Sequence, residues 1–226
     1  MIKIAVSGCN GRMGSGIKKL VESDPGLKLA GAFDAGDDPY GPIRGCDVLI
    51  EFTTPDATVK NVAVAKELRK PVVIGTTGLD KDKIDFIKEA SRSVAIVFAP
   101  NMSVGVNLLF KLTQKASSVL DSAYNVSISE THHIHKKDAP SGTAKRLREL
   151  VAGARGMSLD NVKVESHRIG EVVGDHAVVF DGAEETVELR HHAKSREVFM
   201  RGAVLAAQFV AGRKAGLYGM DDVLGI

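Results

Sequence analysis

Over the first hundred positions, apolar residues come in short β-branched runs, separated by longer stretches in which they recur every three or four residues. Ile2–Ser7, Leu27–Phe33, Val48–Phe52, Val72–Gly75 and Val94–Ala99 are apolar enough to be buried on both faces, as strands of a parallel sheet are. Arg12–Ser23, Asp56–Arg69 and Asp80–Arg92 carry helical periodicity between them. Strand, helix, strand in this rhythm predicts a parallel sheet with crossover helices. One connection breaks the rhythm. Phe33 to Val48 holds Gly, Pro and Asp, and a short irregular loop without a helix is expected there.

The pattern changes after Asn101. An amphipathic helix is predicted from about Val104 to Leu120, then a half-buried strand over Tyr124–Thr131, a histidine-rich segment, and a helix over Ser141–Ala152. Gly153–Asp160 reads as loop. Val162–Arg168, Glu171–Phe180 and Glu185–His192 alternate apolar and polar residues, which predicts an open antiparallel or mixed sheet with one face uncovered. Glu197–Gly212, rich in Ala and Val, reads as an apolar helix able to return to the first domain.

Composition narrows the function classes. The 226 residues carry 30 basic and 28 acidic side chains, a net charge of +2, which leaves no electrostatic footprint for nucleic acid or a membrane surface. Trp is absent and aromatics are few, which argues against a base-stacking surface. No apolar run approaches a membrane span, and the N-terminus lacks a signal-peptide pattern. Cys9 and Cys46 form neither a disulfide framework nor a C-x-x-C pair. A soluble cytoplasmic protein is expected.

Gly8-Cys9-Asn10-Gly11-Arg12-Met13-Gly14 follows the first strand and opens the first helix. Glycines there allow a tight turn and let backbone N–H groups approach a pyrophosphate at the helix N-terminus. The spacing is G-x-x-G-x-x-G, with Asn10 where a middle glycine is usual. The strand–turn–helix context strengthens the reading, as does Asp34, 20 residues after Gly14, where an acid can accept the hydroxyls of an adenosine ribose. A plain glycine turn before an ordinary helix is the bland alternative. The acid favours NADH, since it repels a 2′-phosphate and Ala35 and Gly36 follow it; Arg12, or Arg44 in the loop, leaves NADPH tolerated. Gly75-Thr76-Thr77-Gly78 and Ala99-Pro100-Asn101-Met102 follow the fourth and fifth strands, at the edge where such sheets bind ligands. They can line the nicotinamide half of a pocket, or be turns only. The expected fold class is α/β: a Rossmann-type parallel-sheet domain plus an α+β domain that binds substrate and builds the oligomer.

The richest chemistry lies in Glu130-Thr131-His132-His133-Ile134-His135-Lys136-Lys137-Asp138-Ala139-Pro140-Ser141-Gly142-Thr143. Imidazoles exchange protons near neutral pH, and the two lysines should disfavour their protonated forms. In an extended segment His133 and His135 share one side, while His132 and Lys136 diverge unless the chain turns. Ser141 is a natural N-cap, with Ala144 in place of a capping-box acid, so no acidic side chain is expected to compete for the donors behind it. A ligand carboxylate can sit on the Gly142 and Thr143 N–H groups, with Lys136 supplying charge. A zinc site built from His133 and His135, completed by His191 and His192, is the rival; the flanking lysines oppose a dication, and no metal is expected.

Read from Glu130 to Ala144, E-x-H-H-x-H-K-x-D-A-P-S-G-T-A resembles the signature of the 4-hydroxy-tetrahydrodipicolinate (dihydrodipicolinate) reductase family. Gly8–Gly14 resembles its G-x-x-G-R-M-G loop, Ile50–Pro55 its D-F-T-x-P segment, Val73–Gly78 its V-I-G-T-T-G and Val97–Asn107 its V-F-A-x-N-x-S-V-G-V-N. The resemblance implies NAD(P)H-dependent reduction of a cyclic imine dicarboxylate with loss of water, in lysine and diaminopimelate biosynthesis. It implies His132 as catalytic histidine, Lys136 as proton donor, and His133, Ser141, Gly142 and Thr143 as substrate contacts. Gly8 to Met13, Asp34, Gly75 to Thr77 and Ala99 to Met102 would bind the dinucleotide. A homotetramer is implied, with residues 1–103 and 196–226 as the dinucleotide domain and 104–195 as the substrate domain. This chain departs from the pattern in its short Ala35–Gly45 segment, in Ala35 where Arg often stands, and in Glu51 where Asp is usual. His135 receives no chemical task. Another dicarboxylate reductase on the same scaffold and a non-catalytic dinucleotide sensor are the rival functions.

Overall fold

Alternation along the central strands places apolar side chains on both sides of the first sheet, so each face needs a helical cover. In the computed structural model, which describes all 226 residues, β1 (Ile2–Ser7) sends Ile4 and Val6 to one core and Ala5 to the other. The chain continues through α1 (Arg12–Ser23), β2 (Leu27–Phe33), α2 (Tyr40–Gly45), β3 (Val48–Glu51), α3 (Pro55–Glu67), β4 (Val72–Ile74), α4 (Lys81–Ser91), β5 (Ala95–Phe98) and α5 (Val104–Val119). It then forms β6 (Asn125–His132), α6 (Gly142–Arg155), β7 (Lys163–Arg168), β8 (Asp175–Asp181), β9 (Thr186–His192), α7 (Glu197–Val210), β10 (Gly216–Tyr218) and α8 (Met220–Leu224). Residues 1–104 and 197–225 make one compact unit, and 105–196 with the last residue make a second.

The first unit is a six-stranded sheet in the order β10-β5-β4-β3-β1-β2, with every pair parallel. Ile17 and Val21 of α1 and Ala203, Ala206, Ala207 and Val210 of α7 cover one face; Val62 and Ala65 of α3 and Ile87 of α4 cover the other. The small residues of α7 permit close approach: a Cβ on Gly202 would lie 1.7 Å from the Met102 carbonyl oxygen. Two expectations are corrected here. The Phe33–Val48 connection contains the one-turn helix α2, because burying Ile43 in the second core organises a segment too short to show periodicity. Arg44 therefore sits in a helix and not in a loop. The β10–α8 ending also lay below the reach of pattern; β10 gains its place by pairing with β5.

The second unit is a four-stranded sheet in the order β7-β6-β8-β9. It is mixed, not antiparallel throughout: β6 and β7 run parallel, joined through α6, while β8 and β9 add antiparallel. Ile128, Val178 and Phe180 pack one face against Leu109 of α5 and Leu147 and Val151 of α6. The opposite face carries Ser127, Ser129, Val179, Glu188 and Arg190. The third predicted strand starts at Asp175, four residues late. Gly170 adopts φ +47 and the Val172 N–H bonds back to the Ile169 carbonyl, which turns the chain before it can extend.

Candidate functional site

Strand alternation builds the substrate half. Ile128, Glu130 and His132 fall on one face of β6; Ile128 enters the apolar core, and the two polar residues continue the row to the strand's end. The Glu130 side chain is 0 % exposed. Its Oε2 makes a very short contact with His132 Nδ1, and its Oε1 accepts from Arg168 Nη2 at 3.1 Å and from the Ser141 N–H at 3.3 Å. Arg168 ends β7 in register with His132. It also donates to the carbonyl oxygens of Lys136 at 3.3 Å and Asp138 at 2.5 Å, holding the loop that bears Lys136. That loop turns at once, the Lys136 N–H bonding the His133 carbonyl at 3.1 Å. Lys136 Nζ then lies 2.8 Å from Asp138 Oδ1.

Ser141 caps α6, its Oγ accepting from the Ala144 N–H at 3.1 Å. The same Oγ lies 3.3 Å from His176 Nε2, and the His176 ring meets His132 edge to face at 5.1 Å. His176 is buried and its Nδ1 has no partner. Burial pushes its pKa down to about 3, aided by the neighbouring His132, so it is neutral near pH 7. Burial also holds His132 below the usual histidine value; Glu130 pulls upward, while Lys136 and Arg168 add to the depression. The lysine effect expected on the imidazoles is thus present at His132 but secondary to desolvation. For Glu130 burial is the largest influence and works upward, yet Arg168, Ser166 and His132 together hold its carboxyl below the ordinary range.

The structure gathers His132, the Lys136 loop and Ser141 into one cluster, with Gly142 and Thr143 opening α6 directly behind. Nothing lies within 4 Å of where a Gly142 Cβ would stand, so backbone approach is open there. One expectation is corrected: an acid does reach this helix end, since Glu130 takes the Ser141 N–H from 11 residues away. His133 sits apart from the cluster's centre, its Nε2 3.5 Å from Arg196. The His135 side chain is 72 % exposed, 3.8 Å from Glu171, and takes no part in the cluster. His133 and His135 are not assembled with His191 and His192 as a ligand set; His192 instead pairs with Asp175 at 2.5 Å. The donor atoms that do converge, all within 4.8 Å of one another, belong to Glu130, His132 and His176. Sequence reasoning gave Glu130, Arg168 and His176 no role. The i, i+2 spacing to His132 could have flagged Glu130, whereas sheet register alone brings in the other two.

In the first unit Gly8 adopts φ +77, and a Cβ there would lie 2.2 Å from the Phe52 carbonyl oxygen. At Gly14 a Cβ would strike the Gly8 carbonyl at 2.1 Å, so the turn closes only with glycine at both positions. Helix α1 follows Gly11 as its N-cap, with no side-chain cap and no acid in its first turn, which suits an anionic group. Asp34 faces this loop, its Oδ2 accepting the Asn10 N–H and its Oδ1 the Ala35 N–H, each at 2.9 Å. Those bonds hold its carboxyl below the ordinary value. Cys9, Ala99 and Met102 are buried, while Arg12 and Pro100 are exposed. The Asn101 Oδ1 accepts the Ser103 N–H at 2.9 Å.

Beneath these loops lies a buried polar knot. Glu51 accepts from Asn61 at 2.8 Å and bonds Thr53 and Thr58. Thr58 Oγ reaches Thr76 Oγ at 2.9 Å, and Asn61 also reaches Ser7 at 3.0 Å. Burial raises the Glu51 carboxyl above its usual range despite these bonds. A Cβ on Gly75 would fall 2.0 Å from the Phe52 ring, so the loop after β4 packs directly on the segment after β3. Glu51, the departure from the family's usual Asp, ties together the ends of β1, β3 and β4 through these bonds.

A family model described as "Dihydrodipicolinate reductase, N-terminus" matches residues 2–102, and its C-terminal counterpart matches 105–224. A 4-hydroxy-tetrahydrodipicolinate reductase of Nitrosomonas eutropha is 39 % identical over 265 residues, covering 100 % of this chain and 99 % of that protein. One from Anaeromyxobacter sp. is 42 % identical over 264 residues, covering 100 % and 98 %. Among solved structures, a dipicolinate-bound dihydrodipicolinate reductase from Paenisporosarcina sp. TG-14 shares the fold at TM-score 0.84 and 24 % identity, covering 98 % of this chain and 99 % of that one. A probable dehydrogenase from Thermotoga maritima shares it at TM-score 0.66 and 10 % identity, over 99 % and 93 % of the two chains.

Proposed function

The chain belongs to the dihydrodipicolinate reductase family, and from that membership we propose that it reduces 4-hydroxy-tetrahydrodipicolinate to tetrahydrodipicolinate with loss of water, a step of diaminopimelate and lysine biosynthesis. The observation that carries the reading is the convergence of His132, the Lys136 loop and the α6 N-cap on one buried carboxylate. A cyclic dicarboxylate needs two anion seats and a proton source, and this cluster offers both. The N–H groups of Gly142 and Thr143 seat one carboxylate at the helix N-terminus, Lys136 supplies charge, and His133 is a substrate contact. His132 and Lys136 are the two groups able to hand a proton to the ring carbon beside the one reduced.

The Gly8–Gly14 turn fits a dinucleotide, because its glycines bring bare backbone and an acid-free helix start together. Gly8 to Met13 hold the pyrophosphate, Asp34 the ribose hydroxyls, and Gly75 to Thr77 with Ala99 to Met102 the nicotinamide half. When bound, the nicotinamide supplies the hydride. The ionised Asp34 favours NADH over NADPH. Residues 1–103 with 196–226 serve the dinucleotide and 104–195 the substrate. The open sheet face of Ser127, Ser129 and Val179, flanked by Glu188 and Arg190, is the surface on which four copies assemble. No helix is long and apolar enough to cross a membrane; we place the enzyme in the cytoplasm, without nucleic-acid partners.

The test is oxidation of NADH and of NADPH in the presence of freshly prepared 4-hydroxy-tetrahydrodipicolinate, with KM measured for both. Loss of the reduced-nicotinamide absorbance is expected, with the lower KM for NADH. No turnover alongside confirmed dinucleotide binding would replace this reading with the sensor.

A further inference from the structure

We infer that Glu130 is the positioning residue of the substrate half, one carboxylate that sets the His132 ring, the α6 N-terminus and the Lys136 loop together. The inference deepens the reductase reading and rests on it. Three independent attachments meet at Glu130. Oε2 engages His132 Nδ1, and Oε1 takes the Ser141 N–H at 3.3 Å and Arg168 Nη2 at 3.1 Å. Arg168 carries the constraint onward to the backbone of Lys136 and Asp138. The three elements come from β6, the start of α6 and the loop after β6, and Glu130 is fully buried where they converge.

An ionised carboxylate only accepts hydrogen bonds. His132 must therefore donate from Nδ1, which leaves Nε2 as the ring nitrogen that exchanges a proton. Nε2 lies beside Gly174, where a Cβ would stand 3.1 Å away, so glycine at that position keeps the nitrogen clear. A carboxylate fixing the tautomer of a catalytic imidazole is a recurrent device, and replacing it by an amide reverses the donor. A cation on Glu130, His132 and His176 is the competing use of the cluster. Both Glu130 oxygens are already taken by His132, Ser141 and Arg168, and a dication would have to displace the guanidinium.

The experiment compares wild type, Glu130→Gln and Arg168→Lys by steady-state kinetics, NADH binding and ¹⁵N NMR of the histidine rings. Gln offers one acceptor and one donor where Glu offers two acceptors. Glu130→Gln is therefore expected to shift His132 from the Nδ1–H to the Nε2–H tautomer and to lower kcat by on the order of 10²–10⁴. Substrate KM should rise and NADH affinity should stay at the wild-type value. Arg168→Lys should keep the wild-type tautomer and raise substrate KM, because the two carbonyl contacts are lost. An active wild type with Glu130→Gln within about threefold of it in kcat and KM would overturn the inference. So would a wild-type His132 found as Nε2–H, a measurement that stands even if the variant fails to fold. An inactive wild type with an Nδ1–H His132 would instead refute the reductase reading while leaving the positioning geometry intact.

Discussion

Replacing His132 with Asn or Lys136 with Ala is expected to lower kcat by on the order of 10²–10⁴ while NADH still binds; near-normal turnover in both variants would refute their assignment. Arg168, in register with His132, holds the loop that bears Lys136 by its Lys136 and Asp138 carbonyls, a link from a different strand that no local pattern announces. The signature Glu130–Ala144 stood out in the sequence as chemistry, and Ser141 was legible there as N-cap; the bond from the Asn10 N–H to Asp34 was not. Arg168 and His176 were not, since only strand register delivers them. A second test concerns Glu51, whose carboxyl burial holds above its usual range. Glu51→Gln should keep NADH affinity and cost little stability. Glu51→Ala leaves Asn61, Thr53 and Thr58 without their acceptor and should cost about 1–3 kcal/mol, read by urea denaturation, with weakened NADH binding.

At the scale of elements, the glycine turn and the α6 cap are the parts most sensitive to single atoms. Gly8→Ala adds a strained φ and a Cβ 2.2 Å from a carbonyl oxygen, so the turn must open. NADH affinity, followed by the enhancement of its fluorescence, is expected to collapse, while the fold of the second unit persists. Ser141→Ala should cost about 1 kcal/mol of stability and raise substrate KM, since His176 Nε2 loses its neighbour too; unchanged KM would argue against a carboxylate seat at this helix end. The long elements were readable because burial on one or both faces stamps a period on the sequence. α2, β10 and α8 were not, as each is one turn or three residues long and owes its existence to what it packs against. The parallel β6–β7 pairing was equally hidden: alternation marks a strand but carries no sign of its direction.

At the scale of the whole molecule, buried neutral histidines make stability depend on pH. In the unfolded chain His176 takes up a proton below about pH 6.5, but in the fold only near pH 3. Between those values the unfolded state binds more protons, so the stabilisation is complete above 6.5 and is lost as pH falls towards 3. His132 and His191, also held down by burial, add slope of the same sign. Urea midpoints measured across this window should fall with acidification, and His176→Gln should flatten the curve. Sedimentation should show a tetramer, and charge reversal at Glu188 and Arg190 together should leave it intact more often than either change alone. The route of the chain carries one more consequence. The second unit is a continuous stretch, 105–196, whereas the first needs Ala203, Ala206, Ala207 and Val210 to close the core begun by Ile4 and Val6. During synthesis the sheet that is made first must therefore wait with one face covered by α1 alone until α7 emerges, so the inserted unit is free to fold before the unit that precedes it.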